Sequence, residues 1–247
     1  LSRRTFFQAG LAPAFLAGAQ TAKRRPNLLF LIADDHAGYA MGCDGDRHAL
    51  TPNLDRLANE GIRFSNAYCN CPVCTPSRQS LLTGQMPSTA GVTRLPTPLA
   101  LGKPTFSEQL RTAGFHTGVI GKMHLHREPR PGLFGFDMML TEDALERQWR
   151  KDVPARPVPE GVRTRKMPWL PLKDPARLWL NADCLPYPRR DEEMESTYAA
   201  HLAGEFLEAN AQRPFALWVS FTEPHSPFDF PLEDRGRFDP KDFHPPK

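Results

Sequence analysis

The 247-residue chain has no run of eighteen apolar residues, which argues against a transmembrane helix. It has no dense stripe of lysine or arginine. The formal charge is only +3 and is spread along the chain, which argues against a nucleic-acid footprint. No internal repeat is visible. Cysteine is scarce, five in all, yet "CNCPVC" (69–74) packs three of them into six positions. A structural zinc site takes four ligands, usually in two pairs, and no second pair follows this one. His36 or His48 would have to complete a set whose spacing fits neither a ribbon nor a finger. Cys71-Pro72-Val73-Cys74 has the C-x-x-C form of a redox pair. Thioredoxin-like motifs, however, directly follow the first strand of a small domain, and this one does not. A disulfide anchor stays open on these grounds, and so does a single cysteine with a special role.

What is plentiful is proline, 26 in all, which implies long irregular connections around a packed centre. The length suffices for one sizeable core or two small ones. The first stretch, "LSRRTFFQAGLAPAFLAGAQTA" (1–22), sets Arg3-Arg4 ahead of a modestly apolar segment, with Ala17, Ala19 and Ala22 where a peptidase would cut. It reads as a twin-arginine-type signal peptide of bacterial export, for proteins translocated already folded. An ordinary first helix is the other reading. Residues 23–247 are left to fold. The chain does not open on Met and is not expected to begin at the true start.

From Pro26 onward strands and helices alternate. "NLLFLIA" (27–33) and "PFALWVSF" (214–221) are continuous apolar runs, expected as strands buried on both faces. "IRFSNAY" (62–68) and "FHTGVIG" (115–121) are two further expected strands. Helices are expected over 51–61, with Thr51 as cap and Gly61 as stop, over 76–84, closed by Gly84, and over 105–114. In the last, Thr105 and Glu108 have capping-box spacing. A fourth helix is expected over 191–210, where Met194, Tyr198, Leu202 and Phe206 recur every fourth residue. Residues 153–190 break the rhythm, with eight prolines, within a Pro-rich insertion at about 140–190. That segment reads as a functional insertion or a disordered one. The alternation predicts an α/β fold with a mainly parallel sheet flanked by helices.

Three stretches then carry a resemblance. "PVCTPSRQSLLTG" (72–84) is similar to the sulfatase signature Cys-x-Pro-Ser-Arg, followed by an apolar pair and Thr-Gly. "GFHTGVIGKMH" (114–124) resembles the second signature of that family, with Phe115 where Tyr is usual, and "PNLLFLIADD" (26–35) its first strand with a metal-binding Asp pair. Three motifs in order are specific together where each alone is not. The chain thus resembles the N-terminal portion of a formylglycine-dependent sulfatase catalytic domain, of alkaline phosphatase-like fold, over about 26–136 and 191–230.

The resemblance implies that Cys74 is oxidised after synthesis to formylglycine, an aldehyde that hydrates to a geminal diol. One hydroxyl of a diol can attack sulfur, and the other can expel sulfate by restoring the aldehyde, which splits one slow step into two easier ones. Cys69 and Cys71 become bystanders. Asp34, Asp35 and the modified Cys74 are implied metal ligands, for Ca²⁺ or Mg²⁺, since paired carboxylates suit a hard cation. Adjacent strand side chains point apart, so both Asp residues face one ion only if the strand ends between them. Arg78, one helical turn after Cys74, would hold the diol. Lys122 would bind a sulfate oxygen, His124 would tune the diol's proton, and His225 would contact sulfate or the ester oxygen. His36, His116 and His126 have no assigned role. Arg156, Arg163, Arg165, Trp169 and Trp179 of the insertion either line the substrate pocket or form a packed lid.

The implied activity is sulfate-ester hydrolysis in a bacterial periplasm or outside the cell. The partners are a formylglycine-generating enzyme and the folded-protein export machinery, with neither nucleic acid nor membrane insertion. The substrate is a small-molecule or glycan sulfate ester. A phosphonate monoester or phosphodiester hydrolase of the same superfamily is the nearest alternative, and a non-catalytic exported remnant is another. The family's remaining metal ligands and second active-site Lys have no counterpart after residue 225, so the chain is expected to be truncated at the C-terminus.

Overall fold

Four strands make one sheet: β1 (Leu28–Ala33), β2 (His116–Gly121), β3 (Met138–Leu140) and β4 (Phe215–Phe221). All pair in parallel, in the order β1-β4-β2-β3. The computed structural model describes residues 25–125, 129–165 and 181–242. The expected signal peptide, His126, Trp169 and Trp179 lie outside them.

The central place of β4 explains its sequence. It has a neighbour on each side and helices over both faces, so nearly every residue in Phe215–Phe221 is buried. Its side chains alternate between two cores. Phe215, Leu217 and Val219 pack with Tyr198, Ala203 and Phe206 of the helix Glu195–Ala209. Trp218, between them, packs on the opposite face with Leu82, Leu99, Val119 and Phe136. These are the two apolar layers of an α/β/α arrangement.

The helices are α1 (Pro52–Glu60), α2 (Cys74–Thr83), α3 (Pro87–Ala90), α4 (Phe106–Thr112), α5 (Glu142–Asp152) and α6 (Glu195–Ala209). Thr105 caps α4 as its spacing predicts, accepting from the Glu108 N–H at 3.2 Å. Gly84 closes α2 in the left-handed conformation, at φ 67°. Met194, Tyr198 and Phe206 are buried along one stripe, as their four-residue period requires, although α6 itself starts only at Glu195, after a short 3₁₀ turn.

Several expectations fail, each for a physical reason. Among the described residues β1 is not buried on both faces: it is an edge strand paired with β4 alone, and Leu31 is 55% exposed. Continuous apolarity reports coverage that the described residues do not supply. Residues 62–68 form no strand, and Ile62, Phe64 and Tyr68 stand in solvent. Thr51 does not cap α1 through its side chain; its hydroxyl accepts from the Gly42 N–H and donates to Asp55. The irregular segment begins after Asp152, where the prolines begin, and β3 and α5 occupy 138–152 within the wider bound of about 140. Its described parts are tied down by polar contacts: Arg165 pairs with Asp229, the Arg165 N–H donates to the Pro186 carbonyl, and Arg189 donates to the Val153 carbonyl.

Gly121 lets β2 and β4 close on each other where both strands end. It sits at φ 97°, and a Cβ there would lie 1.9 Å from the Ser220 carbonyl oxygen. An alanine would meet backbone on one side and a disfavoured φ on the other. Gly121→Ala is therefore expected to cost about 2 kcal/mol or more of stability, read as a lowered urea midpoint with unchanged m-value.

Candidate active site

The carboxyl ends of the strands face one region, as open parallel sheets arrange their sites. β1 delivers Asp34 and Asp35, β2 delivers Lys122 and His124, β3 delivers Glu142, and β4 delivers Ser220 within the strand and His225 beyond it. The helix α2 points its N-terminus at the same region. Cys74 is its first residue, half-buried, after Val73 in the extended N-cap conformation. Four residues on, and so on the same helical face, Arg78 is buried.

Asp34 is the centre of the arrangement. Its carboxylate contacts the Lys122 ammonium, and Arg78 Nη2 lies 3.5 Å from the same Oδ2. The other Arg78 nitrogen, Nη1, donates to the Lys122 carbonyl at 2.7 Å and to Ser220 Oγ at 2.6 Å. One guanidinium thus ties α2 to the ends of β1, β2 and β4. Burial pushes the Asp34 carboxyl up, but the hydrogen bond from Lys122 and the charges of Arg78, Lys122 and His225 outweigh it and hold the group below its ordinary range.

β1 ends at Ala33, before both aspartates, and Asp35 turns into the left-handed region at φ 59°. The two carboxylates consequently meet different partners. Asp35 is largely exposed and stands 3.7 Å from His225 Nε2. The donors are hard oxygens of the kind a divalent cation takes, though two carboxylates offer at most four where such an ion wants six or more. Among the described residues no group of three or more His, Cys, Asp or Glu side chains converges on one point. All five cysteines are free thiols.

His124 feels the charges of the Asp34 cluster without an ion pair to it. Its backbone is left-handed, at φ 54°. Burial lowers its imidazole pKa first, and the positive charges of Lys122 and Arg78 lower it further against the opposing charges of Glu142 and Asp34. With Lys122 and His225 it lines a cleft of about 400 Å³ that continues over Glu195, Glu223 and Tyr187. Arg165 of the insertion reaches this cleft, whereas Arg156 is committed to Glu192 and Glu193.

Three polar residues of the site were not singled out from the sequence: Gln79, Glu142 and Ser220. Gln79 and Ser220 are fully buried, and a polar residue inside an apolar strand such as "FALWVSF" is itself a signal. Glu142 carries none, because an acid in a helix's first turn is ordinary.

The cleft wall holds an unusual acid. Burial, reinforced by the charges of Glu223 and Glu146 and opposed by Arg150, pushes the Glu195 carboxyl from 4.5 up to about 7. As pH rises from 4.5 towards 7, the unfolded chain ionises this group while the folded one does not, so it withdraws stability across that window. Glu195→Gln should then stabilise the protein by up to about 3 kcal/mol at pH 8 and change little at pH 4. Urea midpoints at the two pH values check this.

Known proteins place this geometry in a family. N-acetylglucosamine-6-O-sulfatase of Bacteroides thetaiotaomicron is 42% identical over 130 residues, covering 52% of this chain and 23% of that protein. Human arylsulfatase G is 31% identical over 248 residues, covering 90% of the chain and 46% of the relative. The structure of BT4656, solved in complex with D-glucosamine-2-N,6-O-disulfate, superposes with a TM-score of 0.56 at 27% identity, over 82% of this chain and 35% of that one. The phosphonate monoester hydrolase of Agrobacterium radiobacter superposes at 0.65 with 23% identity, over 88% and 44%, a likeness of fold alone. The chain therefore spans at most about half the length of these relatives. The sulfatase family matches from residue 26 to residue 242, across all four strands and every residue of the Asp34 cluster, and the chain belongs to that family.

Proposed function

We propose that the whole protein hydrolyses a sulfate ester, with Cys74 converted to formylglycine as its nucleophile. The observation that carries this reading is the Asp34 cluster: Lys122 and Arg78 meet around one buried carboxylate, and Arg78 stands one helical turn below Cys74. A sulfate monoester arrives as an anion, and its transfer concentrates negative charge on the sulfuryl oxygens and the leaving oxygen. Lys122, Arg78 and the N-terminus of α2 supply fixed positive potential where that charge appears.

Each group has a role its position supports. Formylglycine, as its hydrate, supplies a nucleophilic hydroxyl and a second hydroxyl that restores the aldehyde and frees sulfate. Arg78 anchors the first turn of α2, which carries the nucleophile, to the sheet. Lys122 binds a sulfate oxygen. His124, whose neutral form burial and neighbouring cations favour, accepts the nucleophile's proton. His225 lines the same cleft and contacts the ester oxygen. Asp34 and Asp35 would hold the hard divalent cation, Ca²⁺ or Mg²⁺, which would offset the charge of the ester and favour ionisation of the nucleophile.

A sulfated sugar is the substrate class that the named relatives support, and a cleft of about 400 Å³ running on from Lys122 and His225 gives a sugar ring room. Among the described residues no helix is long and apolar enough to cross a membrane. Export as a folded protein, led by Arg3-Arg4, would let a formylglycine-generating enzyme act on Cys74 first.

The mass of the tryptic peptide Phe64–Arg78, taken from protein made in its own cells, tests this reading. The expected result is the aldehyde at Cys74, with Cys69 and Cys71 unmodified at carbon. Plain cysteine at all three positions in active protein would remove formylglycine from the mechanism. In the whole enzyme Cys74→Ala should abolish sulfate release from a sugar 6-sulfate, whereas Cys69→Ala should leave it within about twofold, the range ordinary for an exposed side chain away from the chemistry. Dialysis against a chelator should remove turnover, and added Ca²⁺ or Mg²⁺ should restore it.

A further inference from the structure

Glu142 opens α5, where an acid ordinarily faces its own helix's free N–H groups. It does not do so here. Its Oε1 accepts from the backbone N–H of Met123 at 2.5 Å and of His124 at 2.6 Å. The carbonyl side of the same residue is held as well: the His124 carbonyl accepts from Gln79 Nε2 at 3.1 Å, and Gln79 also donates to the Thr97 carbonyl at 2.8 Å. Gln79 has no exposed surface and lies on α2, the helix that begins with Cys74. His124 is therefore gripped by α5 at its N–H and by the Cys74 helix at its carbonyl.

That grip has something to hold. His124 is left-handed at φ 54°, and so is Glu142, at φ 43°. Non-glycine residues take this conformation only where their surroundings impose it. The imidazole Nδ1 is buried and has no hydrogen-bond partner among the described residues. Among the described residues no bond at Nδ1 orients the ring, which leaves the backbone turn to set its direction. His124 and Glu142 also stand together between two clefts, the polar one of about 400 Å³ and a mostly apolar one of about 190 Å³ walled by Thr75, Leu95, Pro96 and Pro98.

We propose that Glu142 is a positioning residue for His124: its carboxylate clamps the Met123 and His124 amides and so fixes the turn that presents the imidazole to the two clefts. The proposal rests on the reading of His124 as the group that takes the nucleophile's proton. Two charge-assisted bonds to consecutive amides are stronger and more directional than neutral ones, which suits a clamp on a strained turn. Glu142 also acts at a distance through its charge. The groups facing the imidazole are Lys122, Arg78, Asp34 and Glu142, and Glu142 is one of the two that favour its protonated form.

The test uses the whole enzyme with Glu142→Gln, Glu142→Asp and Glu142→Ala, each with two readouts. The first is kcat and KM on a sugar 6-sulfate. The second needs no turnover: the pH midpoint for carbethoxylation of His124, mapped by mass spectrometry, with exposed His201 as internal control. Glutamine keeps an oxygen acceptor and loses the charge. Glu142→Gln should hold most of kcat, move the His124 midpoint to lower pH and leave His201 unchanged. Glu142→Ala and the shorter aspartate should lower kcat by about 100-fold, the scale of a misplacement of roughly 1 Å, with KM moved far less. A kcat within twofold of wild type in the alanine variant, together with an unshifted His124 midpoint, would overturn the proposal. Should alanine prevent folding, glutamine and aspartate still decide it. A wild-type enzyme inert on the ester whose His124 midpoint still shifts in Glu142→Gln would leave the clamp standing and sink the catalytic reading of His124.

Discussion

A buried carboxylate between two cations is the constraint on which this structure turns. Asp34 loses most of its hydration, a cost of several kcal/mol for an isolated ion, and stays charged because Lys122 and Arg78 lie against it. Those cations are themselves buried and depend on it in turn. The cluster is therefore all or nothing, and it joins elements far apart in sequence. Asp34 comes from β1, Arg78 from α2, Lys122 from the end of β2, and the Ser220 hydroxyl from β4. Whatever holds the sheet in register holds the charges in register too.

The register is set by close approach at the ends of the strands. Gly121 brings β2 against the Ser220 carbonyl more closely than any side chain permits, and the Lys122 N–H donates to that same oxygen at 3.0 Å. On the other face of β2, Gly118 leaves space for the ring of Phe206. Both glycines lie in "HTGVIGK", and both serve packing between strands and helices rather than a turn. The residues that shape the site are thus continuous with the residues that shape the core, and a shift of one register step would carry Lys122 and Ser220 to the wrong faces.

A preorganised field of this kind suits anion chemistry. Lys122, Arg78 and the first turn of α2 are in place before any substrate arrives, so little reorganisation is left for the reaction itself. The wall of the larger cleft is different in character. Glu195 and Glu223 are both pushed upward by burial and by neighbouring acids, Glu195 to about 7, so that near neutral pH a good part of Glu195 carries a proton it can donate.

Much of this was legible along the chain. Local rules suffice for α2, α4, β2 and β4, because Gly84, Thr105 and unbroken apolar runs act within a few residues. The resemblance carried by "ADD", "CTPSR" and "GKMH" pointed to Asp34, Asp35, Cys74, Arg78, Lys122 and His124, and of these the fold brings Asp34, Arg78 and Lys122 into contact. What local pattern could not supply was neighbourhood. Among the described residues "NLLFLIA" has the apolarity of a central strand and lies at an edge, and "IRFSNAY" has the composition of a strand and pairs with none. The partners of Arg78, one of them 142 residues away, and the turn of Glu142 back onto His124 appear only when the sheet brings strand ends together. Residue types and spacing determined which groups this protein carries. Long-range packing alone decided which of them meet, because burial and charge neutralisation are properties of the assembled fold.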